Sequence, residues 1–186
     1  GEMSKSINRL SSGLRVRTAA DDSAGLAISE NMRAQSRSIT KATRNANDAV
    51  ALMNVTESGY QSIGDLMVRM RELAVEAANG SISNTERDML DEEFQSLITE
   101  VDRVSAVAEY NGIQLMDGTV PDLTFQIGFR NSDDDQLTVT LNAQSANNLG
   151  VDGEAVSTQV AAQDAIGAID LAMESLLSDR ADIGAT

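Results

Sequence analysis

Residues 28–80 read ISENMRAQSRSITKATRNANDAVALMNVTESGYQSIGDLMVRMRELAVEAANG. Alternate steps of four and three from Ile28 pass through Ile28, Met32, Gln35, Ile39, Ala42, Ala46, Ala49, Met53, Thr56, Tyr60, Ile63, Met67, Met70, Ala74 and Ala77. Only Gln35 and Thr56 interrupt the apolar stripe. A heptad pattern of this length predicts one long helix packed in a bundle or coiled coil. Asp21, Asp22 and Ser23 are suitable N-caps with favourable charge for the helix dipole. Asn79-Gly80 is a stop signal. A helix over about 23–79 would be roughly 80–90 Å long at 1.5 Å per residue. Gly59 and Gly64 are expected to weaken or bend it. Leu66 and Leu73 form a second apolar row beside the main stripe.

Beyond the stop, Ser83 and Glu86 have capping-box spacing and open a second helix, about 83–110. Its stripe is Leu90, Phe94, Leu97, Val101, Val104 and Ala108. The short break at Gly80–Ser83 implies an antiparallel helical hairpin. The period changes after Asn111-Gly112. Leu123, Phe125, Ile127 and Phe129 alternate with polar residues, as do Leu137, Val139 and Leu141, with Asn131–Asp135 as the turn between them. This predicts a β-hairpin region over about 120–142. Asp133–Asp135 lacks the spaced ligands and closing Glu of a calcium loop and is read as turn chemistry. A linker with Asn147, Asn148, Gly150 and Gly153 leads to a last helix, about 157–183. Its stripe is Ala162, Ile166, Ile169, Met173, Leu176 and Ile183, with Arg180 intruding.

The fold class predicted is mainly α: an elongated antiparallel helical bundle or coiled-coil rod with a small β-hairpin region. Residues 1–22 read as the end of an N-terminal segment and connector, and 23–186 as a single rod domain. The chain starts GEMSKSINRL, with Met3, Ile7, Leu10 and Leu14 already spaced 4, 3, 4. The expectation is a trimmed start with a leftover Gly1, and a second cut end at Gly184-Ala185-Thr186.

Composition fits long helices. There is one Pro among 186 residues, aromatics are 3%, and the 41% hydrophobic fraction is enough for a core of aliphatic residues, Met and Ala. The net charge of −15 argues against a nucleic-acid partner, which needs a basic stripe. No apolar run is long enough to span a membrane, and no secretory signal is visible at the N-terminus. With no Cys and no His, thiolate, disulfide and His-based chemistry are excluded. No phosphate-binding loop is present. The carboxylate runs Asp21-Asp22, Asp91-Glu92-Glu93 and Asp133–Asp135 read as caps and solvated faces rather than acid/base pairs. An enzyme is not expected, and no cofactor or metal is implied.

Several stretches, in this order, resemble the bacterial flagellins. They are RLSSGLRVRTAADDSAGLAIS (Arg9–Ser29), RNANDAVALMNVTES (Arg44–Ser58), VRMRELAVEAANG (Val68–Gly80), EVDRV (Glu100–Val104), AEYNGIQLMDG (Ala108–Gly118), FQIG (Phe125–Gly128) and DRADIGA (Asp179–Ala185). The resemblance covers nearly the whole chain. It implies the rod-like D1 region of flagellin, with the terminal D0 helices that line the filament's inner tube largely or wholly missing. The short stretch around Gln144–Ser157 stands where many flagellins carry outer domains. The implied function is structural: an extracellular subunit of the flagellar filament, exported without a cleaved signal peptide by the flagellar export machinery with a chaperone. A chain lacking the polymerisation helices is expected to be monomeric. The alternatives are a flagellin-like hook–filament junction protein and a helical adaptor or secreted effector.

The resemblance also implies a ligand of the innate immune receptor Toll-like receptor 5, with receptor-binding positions at Arg69, Leu73 and Glu93. Arg69 and Leu73 are i and i+4 and share a helix face. A hairpin folding about Gly80–Ser83 brings the level of Arg69 close to Glu93–Phe94. The expectation is a polar–apolar–polar patch in which an exposed Leu73 supplies apolar area beside an Arg anchor. The plainer alternative is a surface Arg–Glu pair worth about 0–1 kcal/mol, with no partner.

Overall fold

The computed structural model describes residues 3, 7, 10–13, 15, 16 and 18–186. Gly1 and Leu14, assigned above as a leftover residue and a stripe position, lie outside them. Among the described residues, α1 (Ser23–Ala77), α2 (Asn84–Val107) and α3 (Gln159–Ala185) carry most of the chain. Between α2 and α3 lie four short strands: β1 (Glu109–Tyr110), β2 (Ile113–Gln114), β3 (Asp122–Gln126) and β4 (Gln136–Thr140), with a 3₁₀ turn at Asp133–Asp135. They make two separate two-stranded sheets, β1–β2 and β3–β4. The chain forms two compact units, residues 1–46 with 126–136 and residues 47–125 with 137–186.

Asp22 opens α1: its carboxylate accepts the Gly25 N–H at 2.9 Å, which satisfies one of the orphan donors of the first turn. The helix then runs unbroken for 55 residues. Gly59 and Gly64 do not interrupt it. At Gly59 the missing side chain makes room for Met116, whose Sδ would lie 2.5 Å from an added Cβ. Thr56, one of the stripe's polar interruptions, is fully buried, and its hydroxyl donates to the Leu52 carbonyl at 3.1 Å.

α1 does not end on a left-handed glycine, because Gly80 is absent from the positive-φ glycines. Arg87 of α2 ends it instead. This side chain is only 6% exposed and donates Nε to the Ala77 carbonyl at 2.8 Å and Nη2 to the Asn79 carbonyl at 2.9 Å. The last carbonyl of α1 and one just past its end thus receive a charged donor from the start of the next helix. The capping box predicted at Ser83 is present in both directions. Its two hydrogen bonds from Ser83 hold the Glu86 carboxyl below its ordinary range.

Directly after α2, which stops at Val107 rather than near 110, comes a short hairpin that the alternation pattern did not place. Asn111 and Gly112 both have positive φ, 52° and 78°. That is the two-residue turn that matches strand twist, and it joins β1 to β2 with Tyr110 opposite Ile113. β3 and β4 pair as expected, with side-chain contacts Asp122–Thr140 and Thr124–Thr138 across the ladder. β3 ends at Gln126, before Ile127 and Phe129, because the Ile127 and Gly128 N–H groups both turn to the Asp135 carbonyl.

The segment between β4 and α3 is not a loose linker. Ala146, Leu149, Val151 and Val156 are buried in the core. Carboxylates of α2 hold its backbone: Asp102 accepts the Ala146 N–H at 2.8 Å, and Asp91 the Val156 N–H at 2.6 Å. The core they join is built on Tyr60, Ile63, Met67, Met70, Phe94, Val101 and Ile169. It is aliphatic and Met-rich, as the composition requires.

Candidate functional site

The stretch VRMRELAV puts two arginines on either side of a core residue. Met70 is fully enclosed. Adjacent helix positions are about 100° apart, so Arg69 and Arg71 emerge on opposite flanks of Met70. Arg69 turns to α2: its Nε and Nη2 donate to one oxygen of Glu93, at 2.9 and 2.7 Å. Its Nη1 donates to Glu72 on its own helix at 3.0 Å. Arg71 turns to α3 and donates Nε to Asp170 at 2.7 Å. One heptad thus ties α1 to both of its neighbours by charge-assisted hydrogen bonds.

Both ties leave their mark on the ionisation of the groups. The hydrogen bond to Glu93, then that to Glu72, stabilises the Arg69 cation. Arg71 in the same way holds the Asp170 carboxyl below its ordinary range. These groups are half exposed, so solvent screens their attraction and the pairs set geometry more than stability. A third tie, from Arg180 of α3 to Glu57 and Gln61 of α1, lies two to three turns nearer the N-terminus of α1. It explains the cation at a heptad position of α3: Arg180 reaches out of the seam to a carboxylate.

Of the three positions implied for a receptor, the structure brings two together at the surface. Arg69 and Glu93 are paired and open to solvent. The third requires a correction. Leu73 is 0% exposed and belongs to the core. The apolar stripe is wider than a strict heptad seam, so the second row through Leu73 faces the interior with Ala74 and Ala77. The apolar area at this surface comes from Val68 and Val75, 46% and 49% exposed, which line a shallow cleft of about 380 Å³ with Arg71, Glu72 and Glu76. Val68 and Val75 are seven residues apart on the outer face, a spacing that marks them as a pair. The inter-helix partners of Arg71 and Arg87 left no local signal, because each lies across a loop or a whole sheet region.

The Asp133–Asp135 run acts as turn chemistry. Asp135 accepts the Arg130 N–H at 2.6 Å with its carboxylate, and the Ile127 and Gly128 N–H groups with its carbonyl.

Comparison with known proteins accounts for this architecture. A family profile described as the bacterial flagellin N-terminal helical region matches residues 1–120. The chain is 36% identical to a flagellin of Halalkalibacterium halodurans over 97% of its length and 66% of that protein's. It is 37% identical to flagellin FlaB1 of Treponema pallidum, over 98% of the chain and 69% of the relative. It therefore spans about two thirds of the length of these relatives. Among solved structures, the Bacillus cereus flagellin crystal structure superposes with a TM-score of 0.67 at 28% identity, covering 76% of this chain and 81% of that one. A putative flagellar hook-associated protein of Vibrio parahaemolyticus has the same fold, with a TM-score of 0.72 over 90% of this chain and 88% of that one, at 15% identity. This chain belongs to the bacterial flagellins, a family of structural proteins rather than enzymes.

Proposed function

We propose that this chain is the core of an extracellular flagellar filament subunit and that the outer face joining α1 to α2 is recognised by Toll-like receptor 5 of a host. Other copies of the subunit are its partners in the filament, and the flagellar export machinery with a chaperone delivers it without a cleaved signal peptide. One observation carries the receptor reading: the Arg69–Glu93 pair bridges α1 and α2 at the surface, beside the exposed Val68. A receptor covering this pair would desolvate a preformed, charge-assisted contact, and Arg is a frequent interface anchor. Leu73 lies in the core beneath this face and makes no direct contact with a receptor.

The test is direct binding of the chain to the receptor ectodomain. Arg69→Ala is expected to weaken binding about tenfold or more, and Arg69→Asp further, because it places two carboxylates against each other. Helix content should be unchanged in both. Affinity equal to that of the parent chain would overturn the receptor reading and leave filament membership untouched. The alternative of a hook–filament junction protein has only a likeness of fold behind it.

A further inference from the structure

The chain as a whole carries −15, yet one part of its surface is basic. Between residues 23 and 46, Arg33, Arg37, Lys41 and Arg44 outnumber the single carboxylate Glu30. From residue 69 onward the helical arginines are all committed. Arg69, Arg71, Arg103 and Arg180 each hold a carboxylate, and Arg87 holds backbone carbonyls. The side chains of Arg37, Lys41 and Arg130 enter no ion pair or hydrogen bond among the described residues.

These three cations line one cleft of about 480 Å³, a size that suits a small ligand. All of its lining residues lie in the compact unit formed by 1–46 and 126–136. Arg37 and Lys41 are one turn apart on α1, with Cβ atoms about 5–6 Å from each other. Ser38 and Asn131 add uncharged donors, and no carboxylate lines the cleft. The loop that carries Arg130 is pinned. Asn45 donates its amide to the Gln126 carbonyl at 2.9 Å and fastens the end of β3 to the helix. The Gln126 amide donates to the Arg130 carbonyl at 2.8 Å, and the Asp135 carboxylate accepts the Arg130 N–H at 2.6 Å. Gly128 has no room for a side chain, because an added Cβ would meet Asp135. The Arg130 guanidinium lies 4.9 Å from the centroid of the Phe129 ring, which is itself 38% exposed.

Cations that share a cleft without a counter-charge repel one another, and an anion with several oxygens relieves that repulsion. Phosphate oxygens suit such a set, because guanidinium groups grip them in pairs and an ammonium adds a point charge. The positive field is short. The Glu30–Arg33 pair and Asp48 flank it along α1, and Asp133 and Asp134 flank it on the loop. A long polyanion needs a basic stripe and would be repelled by a chain carrying −15, so the ligand is compact. We propose that this cleft binds the diphosphate group of a small molecule, held between Arg37 and Lys41 on the helix and Arg130 on the loop. The group arrives either as free pyrophosphate or attached to a ring, such as that of a nucleoside, which lies against Phe129. The grip comes from side chains on two separated segments rather than from a glycine-rich backbone loop, so no phosphate motif marks it in the sequence. The site shares no residue with the receptor face, since Arg69 and Glu93 belong to the other compact unit.

Calorimetric titration of the chain with pyrophosphate and with ADP, at ionic strengths of about 20 mM and about 150 mM, tests it. At the lower salt a single site with a Kd below about 1 mM is expected, weakening at the higher. Arg37→Gln, Lys41→Gln and Arg130→Gln should each weaken binding about fivefold or more. Arg103→Gln removes the same charge from α2 and should leave affinity unchanged. These side chains are exposed, so circular dichroism should report the same helix content in all. Amide shifts on titration should concentrate at residues 37–45 and 126–131. Tighter binding of ADP than of pyrophosphate, with Phe129→Ala erasing the difference, would support a ring-borne diphosphate. Equal affinities would support the free anion. Failure of both ligands to bind at the lower salt, an equal loss in Arg103→Gln, or amide shifts elsewhere in the chain would overturn the proposal. Receptor affinity of the Arg37→Gln variant should equal that of the parent, which separates failure here from failure of the receptor reading.

Discussion

Along α1, Ile28, Met32 and Ile39 are 57%, 64% and 49% exposed, whereas Tyr60, Ile63, Met67 and Met70, on the same four–three stripe, are fully enclosed. Both halves obey one period and both are helical. The difference shows what a heptad encodes. It decides which side chains share a face; whether that face meets a partner depends on chain far away in sequence. In the second half the partners are α2, α3 and the segment at 142–158. Up to about residue 40, among the described residues, the helix stands on local terms: good helix formers such as Ala, Met, Arg and Gln, the Arg33–Glu30 pair, and the Thr40 hydroxyl bonded back to the preceding turn.

The largest test of this comparison sets Leu73→Ala against Ile39→Ala. Leu73 is enclosed on every side, so its truncation leaves a cavity and should cost about 2–5 kcal/mol in urea unfolding. Ile39 is half exposed already, and its truncation should change stability by about 0.5 kcal/mol or less. Equal costs would mean that the first stripe is covered in solution and would break the distinction.

Arg87 sharpens it. The covered half of α1 has its last carbonyl and one just beyond its end held by a buried guanidinium, so Arg87→Ala should cost about 1–3 kcal/mol by stranding the Ala77 and Asn79 carbonyls. Arg33→Ala, in the bare half, removes only an exposed pair and should cost about 0–1 kcal/mol. Amide exchange at residues 74–79 would report the loss locally: a frayed helix end is expected for Arg87→Ala alone.

Much of this was legible in the residues. The heptad placed Met67, Met70, Ala74 and Ala77 in the core, Ser83 and Glu86 announced a capping box, and the alternation around Leu123 and Leu137 located β3 and β4. The misses share a cause. Leu73 looked like a flank because a strict seam was assumed where the packed stripe is wider. The Asn111-Gly112 pair was visible, but its strands are two residues each and carry no alternation to notice. Arg87, Asp91 and Asp102 act on backbone groups distant in sequence, and no local pattern announces such partners. At the candidate site, the level of Arg69 against Glu93 followed from counting residues around the Gly80–Ser83 turn. The burial of Leu73 comes from packing in the core, which no count along the chain reveals.

Tyr60 offers the finest test of the covered half. Its hydroxyl is buried with no hydrogen-bond partner among the described residues. Burial, and then the nearby negative charge of Asp179, push its pKa up from 10.0 to about 12. Both carboxylate oxygens of Asp179 are engaged by the Asn142 and Gln144 amides, which anchors that charge beside the ring. The sign follows from the raised value. The folded chain holds the proton more tightly than the unfolded one, so stability is intact below pH 10 and falls as pH rises towards 12. By pH 11 the loss attributable to Tyr60 should reach about 1 kcal/mol. Tyr60→Phe removes the titrating group and keeps the ring, so its stability at pH 8 should be equal or slightly higher, since an unpaired buried hydroxyl is lost. The difference between parent and variant in urea midpoints, followed from pH 8 to pH 11, isolates this group from the other bases that titrate there. A parent and variant that decline in parallel would mean that water reaches the hydroxyl, and that even the covered half of α1 is less closed than its stripe implies.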